Sequence, residues 1–211
     1  MSSKMEDIIA KIRDIDGLPT YEEARKLISF FEVRKQTFPN EKSWSRFCLE
    51  NIGVWSVYNI EFVDGLADVI SRLSEPPILE LCAGDGKLSY HLRKRGIDIK
   101  ATDDYSDESI PRKENFVERR DYREALEEYK PRIVVVGWWP AVKRYALNFP
   151  TVSHFLEFPC ADKDYQRFNR DGVEISLLVN LSKHYICCGD DDPQHFGHEV
   201  RLLNKKQTRT S

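Results

Sequence analysis

No apolar run in this chain approaches the roughly twenty residues needed to cross a bilayer, so no helical membrane span is expected. The start, Met1-Ser2-Ser3-Lys4-Met5-Glu6-Asp7, lacks the apolar core of a signal peptide. Positive charge is not in excess: 32 Lys and Arg stand against 35 Asp and Glu, a net charge of −3. No global field therefore recruits nucleic acid or an anionic membrane. The five cysteines (Cys48, Cys82, Cys160, Cys187, Cys188) are odd in number and scattered. That argues against a disulfide framework and for free thiols in a reducing cytosol. Internal repeats and low-complexity segments are also missing. The expectation is a soluble, cytoplasmic chain, its 211 residues enough for one sizeable domain or a domain with a small appendage.

What is present divides in two. Residues 1–75 read as helical. Tyr21 to Phe38 carries Ala24, Leu27, Ile28 and Phe31 at helical spacing. Thr20, followed by Glu22 and Glu23, supplies a capped start with acids in the first turn. Ser43–Leu49 and Val57–Leu73 read as further helices, the latter with Val57, Ile60, Val63, Leu66, Val69, Ile70 and Leu73 on one side. Pro76-Pro77 ends this segment. From residue 78 strands and helices alternate. Strands are expected at 78–82, 97–102, 115–119, 132–136 and 152–158, and helices at 86–95, 122–129 and 141–146. Alternation with near-continuous apolar strands implies a parallel sheet covered on both faces. Glu174–Leu181 and His184–Cys188, separated by Ser182-Lys183, suggest an antiparallel hairpin. The expected fold is α/β: a doubly wound, mostly parallel seven-stranded sheet with an antiparallel C-terminal hairpin, preceded by a helical segment. The expected division is 1–75, 76–204 and a basic tail, 205–211.

In an open parallel sheet, ligands sit outside the carboxyl ends of the strands. The first strand ends in Glu80-Leu81-Cys82-Ala83-Gly84-Asp85-Gly86, a strand, a glycine turn and a helix start. That arrangement brings backbone close to a nucleotide-like ligand. An acid before the turn would repel a pyrophosphate and suit a cation. The second strand ends at Asp103 and Asp104, the third at Asp121 and Tyr122, the fourth at Gly137, Trp138, Trp139 and Pro140. Acids at three successive strand ends are costly together unless they serve a ligand. Carboxylates accept hydrogen bonds from ribose hydroxyls, an exocyclic amine or an ammonium group. Tyr122 and the tryptophans offer flat faces to a purine or a cation.

On these residues the chain resembles the class I S-adenosylmethionine-dependent methyltransferases, over roughly residues 76–190. Their first motif is an acid followed by three alternating glycines; residues 80–86 match it, with Cys82 in place of the first glycine. The resemblance implies S-adenosylmethionine as cofactor. Backbone near Cys82, Ala83, Gly84 and Gly86 would meet its methionine part, which Glu80 would help position. Asp103, with Asp104 close behind, would bind the ribose hydroxyls. Asp121 would bond the adenine amine, with Tyr122 near the ring. The fourth motif departs from the Asp/Asn-Pro-Pro-aromatic signature of amino-methylating members, so the acceptor stays open. Trp138, Trp139 and Pro140 are substrate-wall candidates. The N-terminal helices, with Trp55 and Tyr58, are expected to close over the opening. A small or mid-sized acceptor is favoured over nucleic acid, because no basic groove with interleaved aromatics stands out. No catalytic base, no metal site and no oligomeric state is assigned.

Other readings accompany these. A nicotinamide fold would call for Gly-x-Gly-x-x-Gly, which the turn does not have. Asp103 or Asp104 could cap the following turn, and Asp121 could cap the next helix. Trp138 and Trp139 could be packing. Residues 190–198, with three aspartates and two histidines, match no zinc spacing and read as an acidic turn. Cys82 has no obvious base nearby and defaults to a structural role. His91 to Arg95 reads as the solvated end of a helix. A methyltransferase-like interaction subunit without catalysis is the rival function.

Overall fold

The computed structural model describes residues 3–37, 44–108, 114–137, 140–158, 173–177, 186 and 201–205. The expectations for Trp138, Trp139, Cys160, Cys187, Cys188 and residues 190–198 lie outside them. Among the described residues no helix is long and apolar enough to cross a membrane.

The N-terminal part is helical, as its periodicity predicts. Helices α1 (Ser3–Arg13), α2 (Tyr21–Thr37) and α3 (Trp44–Phe47) are followed by a π-helical stretch, Cys48–Ile52. The start of α2 is a reciprocal cap: Glu23 N–H donates to Thr20 Oγ1 (3.2 Å), and Thr20 N–H to Glu23 Oε2 (2.8 Å). These elements form a core of their own, in which Ile8, Ile9 and Ile12 of α1 meet Leu27, Phe31, Trp44, Phe47 and Ile52. Helix α4 (Ile60–Leu73) starts three residues later than its apolar pattern suggests. Asn59 stops it there, accepting the Phe62 N–H at 3.0 Å.

The sheet has seven strands in the order β3-β2-β1-β4-β5-β7-β6. β1 (Ile78–Leu81) lies between β2 (Ile99–Asp103) and β4 (Ile133–Val136), parallel to both. β3 (Val117–Arg119) and β5 (His154–Glu157) extend the parallel part on either side. Strand parity sorts the side chains. Ile78, Ile99, Ile133, Val135 and Leu156 face α4 and α5 (Lys87–Lys94). Leu79, Leu81, Val134, Val136 and Phe155 face α6 (Tyr122–Tyr129) and α7 (Pro140–Asn148). Each buried Leu, Ile or Phe contributes about 2 kcal/mol, and the central strands β1 and β4 are buried on both faces. At their amino ends Glu75 accepts from Ser153 Oγ (2.7 Å) and Arg132 Nη2 (3.0 Å). Those bonds, Ser153 foremost, hold its carboxyl down at about 2.

The antiparallel end departs from the expected hairpin. β6 (Val173–Leu177) pairs antiparallel with β7, but β7 is Arg201–Lys205, inserted between β5 and β6. Ile186 is the one described residue of the expected second strand. It belongs to no strand and packs in the N-terminal core. His91 also differs from its sequence reading: it is buried, 4% exposed, because α5 is roofed by the segment that follows α1.

Candidate functional site

The chain runs β1 to β2 to β3 in one direction, then returns to place β4 on the other side of β1. Loops leaving β1 and β4 therefore part, opening a crevice at their carboxyl ends. The turn after β1 borders it. Cys82 enters at φ 56°, Gly84 follows at 58° and Gly86 at 77°, all left-handed values that favour glycine. This explains why Cys82 stands where the resemblance expects a glycine: the position needs a left-handed residue, and a small side chain meets it at about 1 kcal/mol. A Cβ on Gly84 would meet nothing within 4 Å, so this face of the turn is open. A Cβ on Gly86 would strike Val117 Cγ2 at 2.4 Å.

Asp103 ends β2 and organises the turn. It is 8% exposed. Its Oδ2 accepts the Gly84 N–H at 2.9 Å and its Oδ1 the Tyr105 N–H at 2.7 Å. Ala83 N–H donates to Thr102 O (3.0 Å), which docks the turn on β2. Asp104 points outward, exposed, and accepts the Ser106 N–H at 2.8 Å. Asp121 caps α6, accepting the Arg123 N–H at 2.8 Å; this was the alternative role foreseen for it, and a half-buried carboxylate retains further lone pairs. Tyr122 packs on the α6–α7 side, 5.7 Å from the Tyr145 ring, with the Arg123 guanidinium 5.2 Å over its own ring. Exposed Cys82 reports how close these acids are. Surrounding protein foremost, then Asp103, Asp104, Glu80 and Asp121, push its thiol up to about 12. That shift disfavours the thiolate that a nucleophile needs.

Glu80 behaves differently from a rim acid. Its parity is that of Ile78, so it points under α5, where it is 4% exposed and accepts from the Ser89 hydroxyl. Burial, reinforced by Asp85 and Asp103, pushes its carboxyl up to about 8. Glu80 thus favours its protonated form under α5, apart from the strand-end acids at the rim. A stability consequence follows. The folded chain retains a proton that the unfolded chain releases near 4.5. The stability this gives is complete below that value and is lost as pH rises towards 8, at up to about 1.4 kcal/mol per pH unit. Glu80→Gln keeps an acceptor for Ser89 without the proton. Thermal unfolding of Glu80→Gln is therefore expected to lose less midpoint between pH 5 and pH 8 than wild type; equal losses would remove this account.

Of the substrate-wall candidates, Trp55 packs with Ala83 and Phe116 against Ala101, Tyr105 and Val117, beside the turn. Tyr58 stacks on Phe62 at 6.1 Å, against the α4–α5 core. Pro140 is the first residue of α7. Sequence reasoning missed Ser89 and Lys87. Both look like ordinary residues of a helical surface, and only the α5–β1 and α5–α1 packing reveals their partners. Among the described residues no group of acidic, His or Cys side chains could hold a metal.

No protein family matches the chain by sequence, and no curated protein does. Among solved structures it is similar to the plantazolicin methyltransferase BpumL in complex with SAH, at 12% identity over 96% of this chain and 98% of that one, with a TM-score of 0.41. It is likewise similar to the proposed RNA methyltransferase PH1948 from Pyrococcus horikoshii, at 12% identity over 99% of this chain and 100% of that one, also with a TM-score of 0.41. Values this low carry no assignment; the strand order and the strand-end carboxylates of this chain are what bear on function.

Proposed function

We propose that the chain is an S-adenosylmethionine-dependent methyltransferase with the doubly wound class I arrangement, acting on a small or mid-sized acceptor. The observation that carries this is Asp103. A carboxylate at the end of the second strand, tied by one oxygen to the glycine turn, still presents lone pairs beside the open face of Gly84. Such a group suits a ribose diol and repels a pyrophosphate. Asp121 and Tyr122, at the next strand end, suit the adenine amine and ring. Backbone at Cys82, Ala83, Gly84 and Gly86 suits the methionine part.

When bound, the cofactor supplies an electrophilic methyl carbon on a sulfonium. The chain then has to bind, orient and exclude water. Asp103 fixes the ribose and, through Gly84, the turn. Asp103, Asp104 and Asp121 supply negative field for a cationic ligand. Trp55, beside the turn, is assigned to the acceptor side, a role that the sequence also suggests for Trp138, Trp139 and Pro140; Tyr58 stiffens the segment that carries Trp55. No dedicated base is required of the chain for an acceptor that is already nucleophilic.

Calorimetry tests this directly. S-adenosylmethionine and S-adenosylhomocysteine are both expected to bind at one site per chain, and NAD to show no heat. Heat with NAD and none with either adenosyl ligand refutes the reading.

A further inference from the structure

Two separate cores meet in part through a polar joint. The N-terminal core of α1 to α3 shares no residue with the sheet core; it meets α4, where the Tyr21 N–H donates to Glu61 Oε2 at 2.7 Å, and, more extensively in side-chain bonds, α5. At the centre of the joint is Lys87, the first residue of α5 and only 2% exposed. Its ammonium donates to Lys11 O (3.1 Å), Ile12 O (2.6 Å) and Asp14 O (2.6 Å). Lys11 O and Ile12 O are carbonyls of the last turn of α1, which have no helical partner of their own; Asp14 O lies just past the helix and also accepts the Gly17 N–H at 3.1 Å. A cation suits that end of α1 and is disfavoured at the start of α5, where the helix dipole is positive. The Lys87 ammonium is therefore set against the dipole of its own helix, and the three carbonyls it grips lie on α1 and the residue that follows it. The Lys87 backbone N–H meanwhile donates to Asp85 Oδ1 at 3.1 Å, inside the ligand turn. One residue thus grips α1 with its side chain and the glycine turn with its main chain. Around it, Asp16 accepts from Lys94 (2.5 Å) and from the Tyr90 hydroxyl. Buried His91 bonds the Ile15 backbone, and burial, with Lys87 and Arg95 nearby, pushes its ring down to about 4, keeping it neutral.

We infer that Lys87 is a positioning residue: by holding the carbonyl end of α1, it makes the Gly84–Gly86 turn depend on the docking of the N-terminal helical layer. Its effect on cofactor affinity rests on the function proposed above; its effect on the turn does not.

Amide exchange on the full chain without ligand reads the joint. In Lys87→Met, residues 11–17 and 84–89 are expected to exchange about tenfold faster together, while β4 stays protected. Unchanged exchange at 84–89 overturns the inference. Asp16→Ala removes the acceptor of Lys94 and Tyr90 but leaves Lys87 in place. It is expected to loosen 14–17 and to leave 84–89 within about twofold of wild type. Loosening of 84–89 as great as that of 14–17 would assign the coupling to the joint at large and overturn the role of Lys87, even if Lys87→Met does not fold. With S-adenosylhomocysteine, wild type is expected to gain protection at 11–17, and Lys87→Met to bind about tenfold more weakly without that gain. Protection at 11–17 in both proteins overturns the inference. A wild-type chain that fails to bind S-adenosylhomocysteine refutes the cofactor instead, and the ligand-free exchange still decides the latch.

Discussion

Gly86→Ala is expected to lower stability by about 3 kcal/mol, whereas Gly84→Ala, two residues away, lowers it by about 1 kcal/mol and abolishes ligand binding. Both glycines are left-handed, at φ 77° and 58°, so each substitution meets the same backbone strain of about 1 kcal/mol. Their surroundings separate them. The Cβ at residue 86 would lie 2.4 Å from Val117 Cγ2 and 3.0 Å from Phe116 Cε2. Val117 is β-branched, buried and held in β3, so it cannot swing aside. Relief requires moving β3 or the start of α5, which adds the cost of overpacking, about 2 kcal/mol. At residue 84 the Cβ meets nothing within 4 Å. Its methyl projects into the open face where a ligand's backbone contact would form. Thermal unfolding should show a midpoint loss of about 8 °C for Gly86→Ala and about 3 °C for Gly84→Ala. Calorimetry with S-adenosylhomocysteine should show at least about a hundredfold loss for Gly84→Ala. Intact affinity in Gly84→Ala would mean that the open face of the turn is not the ligand face.

The features that were legible in the sequence are those fixed by near neighbours. Apolar runs at 78–81 and 133–136 became strands because parallel strands buried on both faces read as near-continuous hydrophobic stretches. The turn after β1 was legible because its glycines answer to backbone angles rather than to distant contacts. The strand-end acids followed once strand ends were placed. β7 was not legible. Arg201-Leu202-Leu203-Asn204-Lys205 is short and half polar, with Leu202 and Leu203 packed on opposite sheet faces. Its place in the sheet is settled by pairing with β5, distant in sequence. Burial of charge was hidden for the same reason. Glu80 and Lys87 look like solvent-facing residues until α5 is laid on β1 and α1 on α5. A charged residue is buried only when its partners are assembled, and those of Lys87 stand more than seventy residues away along the chain.

Asp103→Ala is expected to cost S-adenosylhomocysteine affinity about a hundredfold, Asp103→Asn about tenfold, and Asp104→Ala less than about threefold. The order comes from what each carboxylate already holds. Asp103 accepts two backbone N–H groups, one on the ligand turn and one at Tyr105. Alanine leaves both donors without their acceptor and removes the ligand's acceptor as well, so turn and ligand are lost together. Asparagine keeps one oxygen, which retains one of the two backbone bonds and a neutral acceptor of roughly half the strength. Asp104 is exposed and serves only the Ser106 N–H; water replaces its bond, and its remaining contribution is a screened field. The two aspartates are adjacent in sequence, and motif matching alone leaves both in contention for the ribose. The structure separates them by burial and by what they tie down. A larger loss at Asp104 than at Asp103 would transfer the ribose to the exposed acid. It would also leave Asp103 as a pure turn-holder, whose removal should then lower the unfolding midpoint without altering affinity in the fraction that remains folded.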